Sequence, residues 1–157
     1  MGIRRQLALD VGGFRTDLGW GNRMIPSEEI DFFKRVRDTR RGYIEYLAEA
    51  VVEHRIDPEK TEYDYYLKWQ QAYGKSLVLM EELPEKLSEY IERISDLRKV
   101  VSENKKAMKT KGSELETIEH IREIERAKGG VLELIRLYLE NSGSKYLNRL
   151  SKHKRLQ

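Results

Sequence analysis

The chain of 157 residues has the length of one average domain. Lys and Arg number 30 against 27 Asp and Glu, and this balance does not indicate a nucleic-acid binder. Because cysteine is absent, disulfides, thiolate metal sites and cysteine nucleophiles are excluded. No apolar run reaches the length of a membrane helix or a signal peptide, and we expect a cytoplasmic protein.

Residues 1–80 contain most of the aromatic residues and turn-forming glycines, and they begin with two predicted helices. The apolar spacing over residues 4–11 predicts a short helix that ends at Gly12-Gly13. Ser27 is a good N-cap, and the acids that follow it are typical of the first turn of a second helix.

Two short strands and an aromatic helix are predicted next. Residues 43–47 alternate enough for a strand, and residues 50–54 form a second candidate. Residues 62–72 then predict a helix that ends at Gly74.

Residues 81–157 have a different texture, rich in Glu, Lys, Leu, Ile and Arg. Apolar residues at steps of three and four predict an amphipathic helix over 83–101, followed by a polar break at 104–112. Further helix is expected up to a stop at 141–144, with a kink or interruption at Gly129-Gly130.

Six short segments follow one another in the order found in a known family. They are Met1-Gly2-Ile3-Arg4-Arg5, Val11-Gly12-Gly13-Phe14, Glu28-Glu29-Ile30-Asp31-Phe32 with Arg35, Gly42-Tyr43-Ile44-Glu45-Tyr46, Ala50-Val51-Val52-Glu53-His54 and Gly74-Lys75-Ser76. In this order they resemble the C-terminal part of the catalytic domain of family 2 glycosyltransferases, inverting enzymes of the GT-A fold. Gly19-Trp20-Gly21 is similar to the acceptor loop of related galactosyltransferases.

The resemblance implies a fold and an activity. The fold would be a partial GT-A-like α/β unit on the acceptor side in residues 1–80, followed by an all-α extension in residues 81–157, so that the chain is mostly helical. The activity would be transfer of a sugar, with inversion, from a nucleotide-sugar donor to a hydroxyl of a glycan or lipid-linked acceptor.

The resemblance also implies the roles of five residues. Glu29 corresponds to the general base, although the family usually has Asp there. Glu28, Trp20 and Arg4 correspond to the acceptor-binding side, with the indole of Trp20 stacked on a sugar face. His54 corresponds to a ligand of the divalent metal, Mn²⁺ or Mg²⁺, that neutralises the diphosphate.

Four of these five residues also have a structural interpretation. The acids Glu28 and Glu29 also complement the dipole at a helix N-terminus, whatever their function. Trp20 fits equally well as a loop anchor in the core, and His54 as a strand-end residue whose ring bonds to the backbone.

The donor side of such an enzyme is missing from this sequence. No Asp-x-Asp occurs, and no glycine-rich phosphate loop is present. We therefore expect a fragment, produced by a split gene or a mis-called start or left as the remnant of a longer enzyme. The missing N-terminal half would hold the nucleotide and the metal, and an N-terminal partner polypeptide is one source of it. We expect the chain alone to be inactive and to bind no nucleotide sugar tightly.

A second interpretation comes from a different functional class. The amphipathic helices from 83 to 139 would form a non-catalytic module that pairs with a partner protein. A nucleic-acid partner is disfavoured, because Asp and Glu are interspersed among the basic residues of the helices and argue against a continuous basic face. The basic tail fits either peripheral contact with anionic lipid or a solvated end; its cations are Lys145, Arg149, Lys152, Lys154 and Arg155.

Overall fold

The protein is mostly helical, as the sequence predicts. The computed structural model describes residues 2–19, 25–41, 45–110 and 112–154, with side chains up to residue 142. Within these ranges five α-helices follow in chain order: α1 (Arg5–Asp10), α2 (Glu28–Asp38), α3 (Tyr63–Met80), α4 (Leu87–Ala107) and α5 (Glu114–Lys154). None of the helices in this part of the chain has a stretch apolar and long enough to cross a bilayer.

The predicted strands are not formed in the part of the chain that the structure describes. Residues 45–57 contain a turn, in which the Ala50 amide donates to the Leu47 carbonyl at 3.2 Å, but neither helix nor strand. Strand composition alone cannot form a sheet, because a strand's hydrogen bonds come from a neighbouring strand. An α/β unit is therefore not seen, and the strand-like pairing in the described ranges is one antiparallel bridge between Gly19 and Ile25.

Helices α3 and α5 cross with their backbones in close approach. A Cβ added to Gly74 would lie 1.9 Å from the Arg126 carbonyl oxygen, and one added to Gly129 would lie 1.9 Å from the Gln71 carbonyl oxygen. Both glycines admit a neighbouring backbone where any side chain would clash. Because α3 continues to Met80 and α5 runs from Glu114 to Lys154, the prediction that α3 ends at Gly74 is wrong, and Gly129-Gly130 does not interrupt α5.

Helix α4 packs along α5, so that α3, α4 and α5 form one helical bundle. Its Tyr90 is buried with Val78 of α3 and Leu134 of α5, and the Tyr90 and Tyr138 rings meet edge to face at 5.5 Å. α3 thus shares one core with both helices of the C-terminal half.

Helix α5 continues through the stop predicted at 141–144. The Asn141 side-chain amide donates to the Tyr90 hydroxyl at 3.0 Å, so this segment is held against α4. A tertiary contact of this kind outweighs the weak helix preference of Asn, Ser and Gly. The side chains of the basic tail lie outside the described residues.

Candidate functional site

The start of α2 is the place where the predicted catalytic acids meet the rest of the molecule. Ser27 precedes the helix, is buried, and has a φ of 89°, in the left-handed region that a non-glycine residue rarely adopts. It occupies the N-cap position that the sequence predicts, but its side chain makes no capping hydrogen bond. Its Oγ lies instead 3.0 Å from the Oγ of Ser76 in α3.

Glu28 and Glu29 are the first two residues of α2 and differ in exposure. Glu28 is half-buried, whereas Glu29 is exposed. A Cβ placed on Gly19 would lie 3.5 Å from the Glu28 Cδ, so the Glu28 carboxyl lies against the residue that begins the predicted acceptor loop. The bridge between Gly19 and Ile25 closes that loop at its base. Trp20 itself lies outside the described residues.

Asp31 is a buried carboxylate of α2 and binds a neighbouring arginine. Asp31 is 5 % exposed, and its Oδ2 accepts a hydrogen bond from the Arg35 Nε at 2.8 Å. The Arg35 guanidinium also donates to the carbonyls of Val11 and Gly13, to the latter at 2.7 Å. Arg35 therefore fixes the glycine turn after α1 against α2, which agrees with a structural role.

A second arginine, Arg15, connects Asp31 to α3. The Arg15 guanidinium lies 3.5 Å from the Asp31 Oδ1 and donates to the Leu79 carbonyl at 2.9 Å. Its hydrogen bonds to Asp17, at 3.0 and 2.6 Å, raise the pKa of Arg15, with a smaller contribution from the charge of Asp31. Residues 15–17 are thereby joined to α2 and to the end of α3.

An apolar contact reinforces the same junction. Phe14 stacks on the fully buried Phe32, with ring centroids 4.5 Å apart. Beside it, Leu18 and Ile25 pack on Leu79. Three of the six family-like segments, 11–14, 28–35 and 74–76, thus converge around the start of α2.

The other predicted site residues lie elsewhere. Arg4 is the exposed residue before α1, and the structure gives its side chain no hydrogen bond or ion pair among the described residues. His54 is exposed in the segment without helix or strand. Neither forms a hydrogen bond or an ion pair with Glu28 or Glu29 in the described part of the chain.

The proposed role of His54 as a metal ligand requires further ligands near it. Among the residues with described positions, no cluster of three or more His, Cys, Asp or Glu side chains could hold a metal ion. The residues present therefore do not fit a metal centre by themselves, and further ligands would have to come from outside them.

Two residues that hold this site together, Ser76 and Arg15, are not indicated by the sequence pattern. Their partners are 49 and 16 residues away, so no local spacing could have indicated either contact.

Comparisons with protein-family models, with curated proteins and with solved structures found no match.

Proposed function

We propose that this chain is the acceptor side of an inverting, family 2-like glycosyltransferase in which Glu29 is the general base. The acceptor hydroxyl oxygen would form a bond to the anomeric carbon of the donor sugar while its proton passes to the Glu29 carboxylate. The nucleoside diphosphate would leave from the opposite face with the electron pair of the broken bond, so the anomeric configuration inverts.

One observation carries the proposal. Glu29 is exposed, but the helical turn that carries it is held in place by three contacts with other parts of the chain. The Ser27–Ser76 hydrogen bond, the Arg15–Asp31 ion pair and the Phe14–Phe32 stack each join the first turns of α2 to another segment of the chain. A base that must meet an incoming hydroxyl within hydrogen-bond distance needs such support. A helix N-terminus alone would not require it.

Glu28 would hydrogen-bond the acceptor sugar beside this base. Its carboxyl lies against Gly19, so the loop from Gly19 to Ile25 and the start of α2 would form neighbouring walls of an acceptor pocket. Trp20 belongs to this loop and would supply the stacking surface. Arg4 would act from the segment before α1.

The donor would be bound outside this sequence. No Asp-x-Asp is present, so a nucleotide sugar and its Mn²⁺ or Mg²⁺ would be held by a donor-binding polypeptide, with His54 as the residue of this chain that approaches the metal. No step of the proposed mechanism passes through His54.

The test combines the purified chain with the donor-binding polypeptide, sought in the reading frame upstream of this one. Sugar transfer from a panel of labelled nucleotide sugars to glycan and lipid acceptors is then measured. Glu29→Gln is expected to lower kcat by about 100-fold or more, with the KM for the donor unchanged. Asp38→Asn, an exposed acid at the other end of α2, is the matched control and should retain activity.

Three outcomes would count against this function. They are the absence of a donor-binding reading frame, no transfer by the combined wild-type proteins, and undiminished transfer by Glu29→Gln.

A second candidate function rests on an exposed apolar stripe of α5. Leu132, Ile135 and Leu139 are exposed by 53, 40 and 62 %, and their spacing places them on one side of the helix. A stripe of this kind fits a helical interaction module that binds an amphipathic partner helix.

Reconstitution tests this alternative. Proteins that copurify with the tagged chain are identified, and their binding is remeasured with purified components. Leu132→Lys with Leu139→Lys should abolish binding, while Ser88→Lys with Ser102→Lys, which add the same charge on exposed α4 positions, should not. Equal loss in both pairs would exclude this stripe as the binding surface.

A further inference from the structure

The strongest unexplained feature of the molecule is the segment of residues 51–57, which we call the free segment. Its first residue, Val51, donates its amide to the Glu49 carbonyl at 2.9 Å. A turn at residues 47–50 precedes it, and Asp57 ends it by accepting a hydrogen bond from the Lys60 amide at 2.9 Å. Among the described residues, the backbone groups of residues 52–56 make no hydrogen bond. Five consecutive residues therefore present both donors and acceptors to the surroundings.

The side chains of the free segment are those of a strand that lacks a sheet. Val51 and Val52 are 83 and 84 % exposed, and Ile56 is 59 % exposed. β-branched residues favour the extended conformation. No glycine or proline occurs between Gly42 and Pro58, so neither residue interrupts an extended strand there. An extended strand is the partner that such a segment fits.

The sequence of the free segment is complementary to itself. When two copies run antiparallel with His54 at the centre, Glu53 of each copy lies opposite Arg55 of the other. In the same register, Val52 lies opposite Ile56. The two-fold symmetry repeats both pairs, giving two charge-complementary and two apolar cross-strand pairs.

We propose that the free segment pairs with the same segment of a second copy of this chain, as an antiparallel strand centred on His54. The pairing satisfies the backbone groups of residues 52–56 and places Val52 and Ile56 of both copies on one face of the ribbon. The charged pairs lie on the other face. A two-stranded ribbon has marginal stability in water, so the dimer is weak and depends on protein concentration.

Charge reversal tests the register. The dissociation constant of the full chain is measured by sedimentation over a concentration series. Glu53→Arg and Arg55→Glu each turn two attractive pairs into two repulsive ones, so either variant should weaken the dimer by about tenfold. The double variant restores opposite charges and should return to the wild-type constant. A wild type that stays monomeric, or a dimer insensitive to both reversals, would overturn the proposal.

The absence of cysteine allows a second and independent test. His54→Cys places one thiol per copy at the two-fold axis, with Cα atoms about 4.5 to 5.5 Å apart, within reach of a disulfide. Val51→Cys is equally exposed but holds the two thiols about 20 Å apart in this register. Under mild oxidation His54→Cys should form the covalent dimer much faster than Val51→Cys, and equal rates would exclude the register. The measurements are dimer dissociation and disulfide formation, and neither requires sugar transfer, so their outcome does not depend on the proposed enzymatic function.

Discussion

The hydroxyl oxygens of Ser27 and Ser76 lie 3.0 Å apart, although 49 residues separate them in the sequence. Ser76 donates its own proton to the Tyr73 carbonyl at 2.7 Å, so Ser27 is the donor in the pair. This bond holds Ser27 in its left-handed conformation and fixes the start of α2 to the middle of α3. The direction in which Glu28 and Glu29 leave the helix depends on it.

We expect Ser76→Ala to destabilise the fold by about 1 to 3 kcal/mol, because it leaves the buried Ser27 hydroxyl without its acceptor. The double variant Ser27→Ala with Ser76→Ala should cost less than the two single variants together. A double-mutant cycle on urea denaturation measures the coupling. Strictly additive effects would show that the hydroxyl contact contributes nothing to stability.

The buried carboxylate under the site gives a second prediction. Asp31→Asn should destabilise the fold by about 2 kcal/mol, since Arg35 and Arg15 lose a charged partner that is almost entirely buried. Asp38→Asn removes an exposed partner of Arg37 and should change stability by less than about 0.5 kcal/mol. Thermal unfolding of the two variants side by side distinguishes them, and equal melting temperatures would contradict the assignment.

The start of α2 could be predicted from sequence because its signals are local. Ser27 followed by acids indicated the helix start correctly, and Gly12 and Gly13 have the positive φ values expected of the turn that ends α1. The Ser76 and Arg15 contacts that hold the site together are long-range, and no window of sequence contains both partners. The acids of the candidate site were thus predictable, and their support was not.

The glycines of α3 and α5 show why the remaining helix boundaries were missed. A glycine has the same local signature whether it ends a helix or admits the backbone of another helix. Gly74 and Gly129 do the second, and only the position of the crossing partner decides. The strand predicted at 50–54 and the described part of the one predicted at 43–47, residues 45–47, are not formed for a related reason. Sheet formation depends on a pairing partner that local composition does not reveal.

The close approach of α3 and α5 at Gly74 and Gly129 predicts that adding one methyl group at either glycine strongly lowers the stability of the fold. Gly74→Ala and Gly129→Ala should each destabilise the fold by about 3 kcal/mol or more, because the new Cβ would lie 1.9 Å from a backbone oxygen. Gly2→Ala is the control, as nothing lies within 4 Å of its Cβ position. Denaturant midpoints of the three variants provide the comparison, and a mild effect at either crossing glycine would mean that the helices do not approach this closely.

Acidification should weaken the starts of α4 and α5. The Glu116 carboxylate accepts from the Ser113 amide at 2.7 Å, and the Glu89 carboxylate accepts from the Glu85 amide at 2.9 Å. These hydrogen bonds lower the pKa of both groups below the ordinary value of 4.5. Their contribution is therefore fully present above about pH 4.5 and is lost as the pH falls through the lowered pKa values.

We expect the variant Glu89→Gln with Glu116→Gln to be less stable than wild type at neutral pH, and the difference to shrink as the pH falls below 4.5 and through the lowered pKa values. Melting temperatures across this range provide the measurement. Glu92→Gln, at an exposed position of α4, is the control and should follow the wild-type profile. A constant difference between wild type and the double variant at all pH values would refute the linkage.

Donor binding gives the last prediction. We expect the isolated chain to show no micromolar affinity for any nucleotide sugar, with or without Mn²⁺, because it has neither an Asp-x-Asp nor a glycine-rich phosphate loop. Calorimetric titration with uridine and guanosine diphosphate sugars measures this directly, and the same titration of the chain combined with the donor-binding polypeptide is the positive control. Micromolar binding by the chain alone would place the donor site within these 157 residues and contradict the division of the active site between two polypeptides.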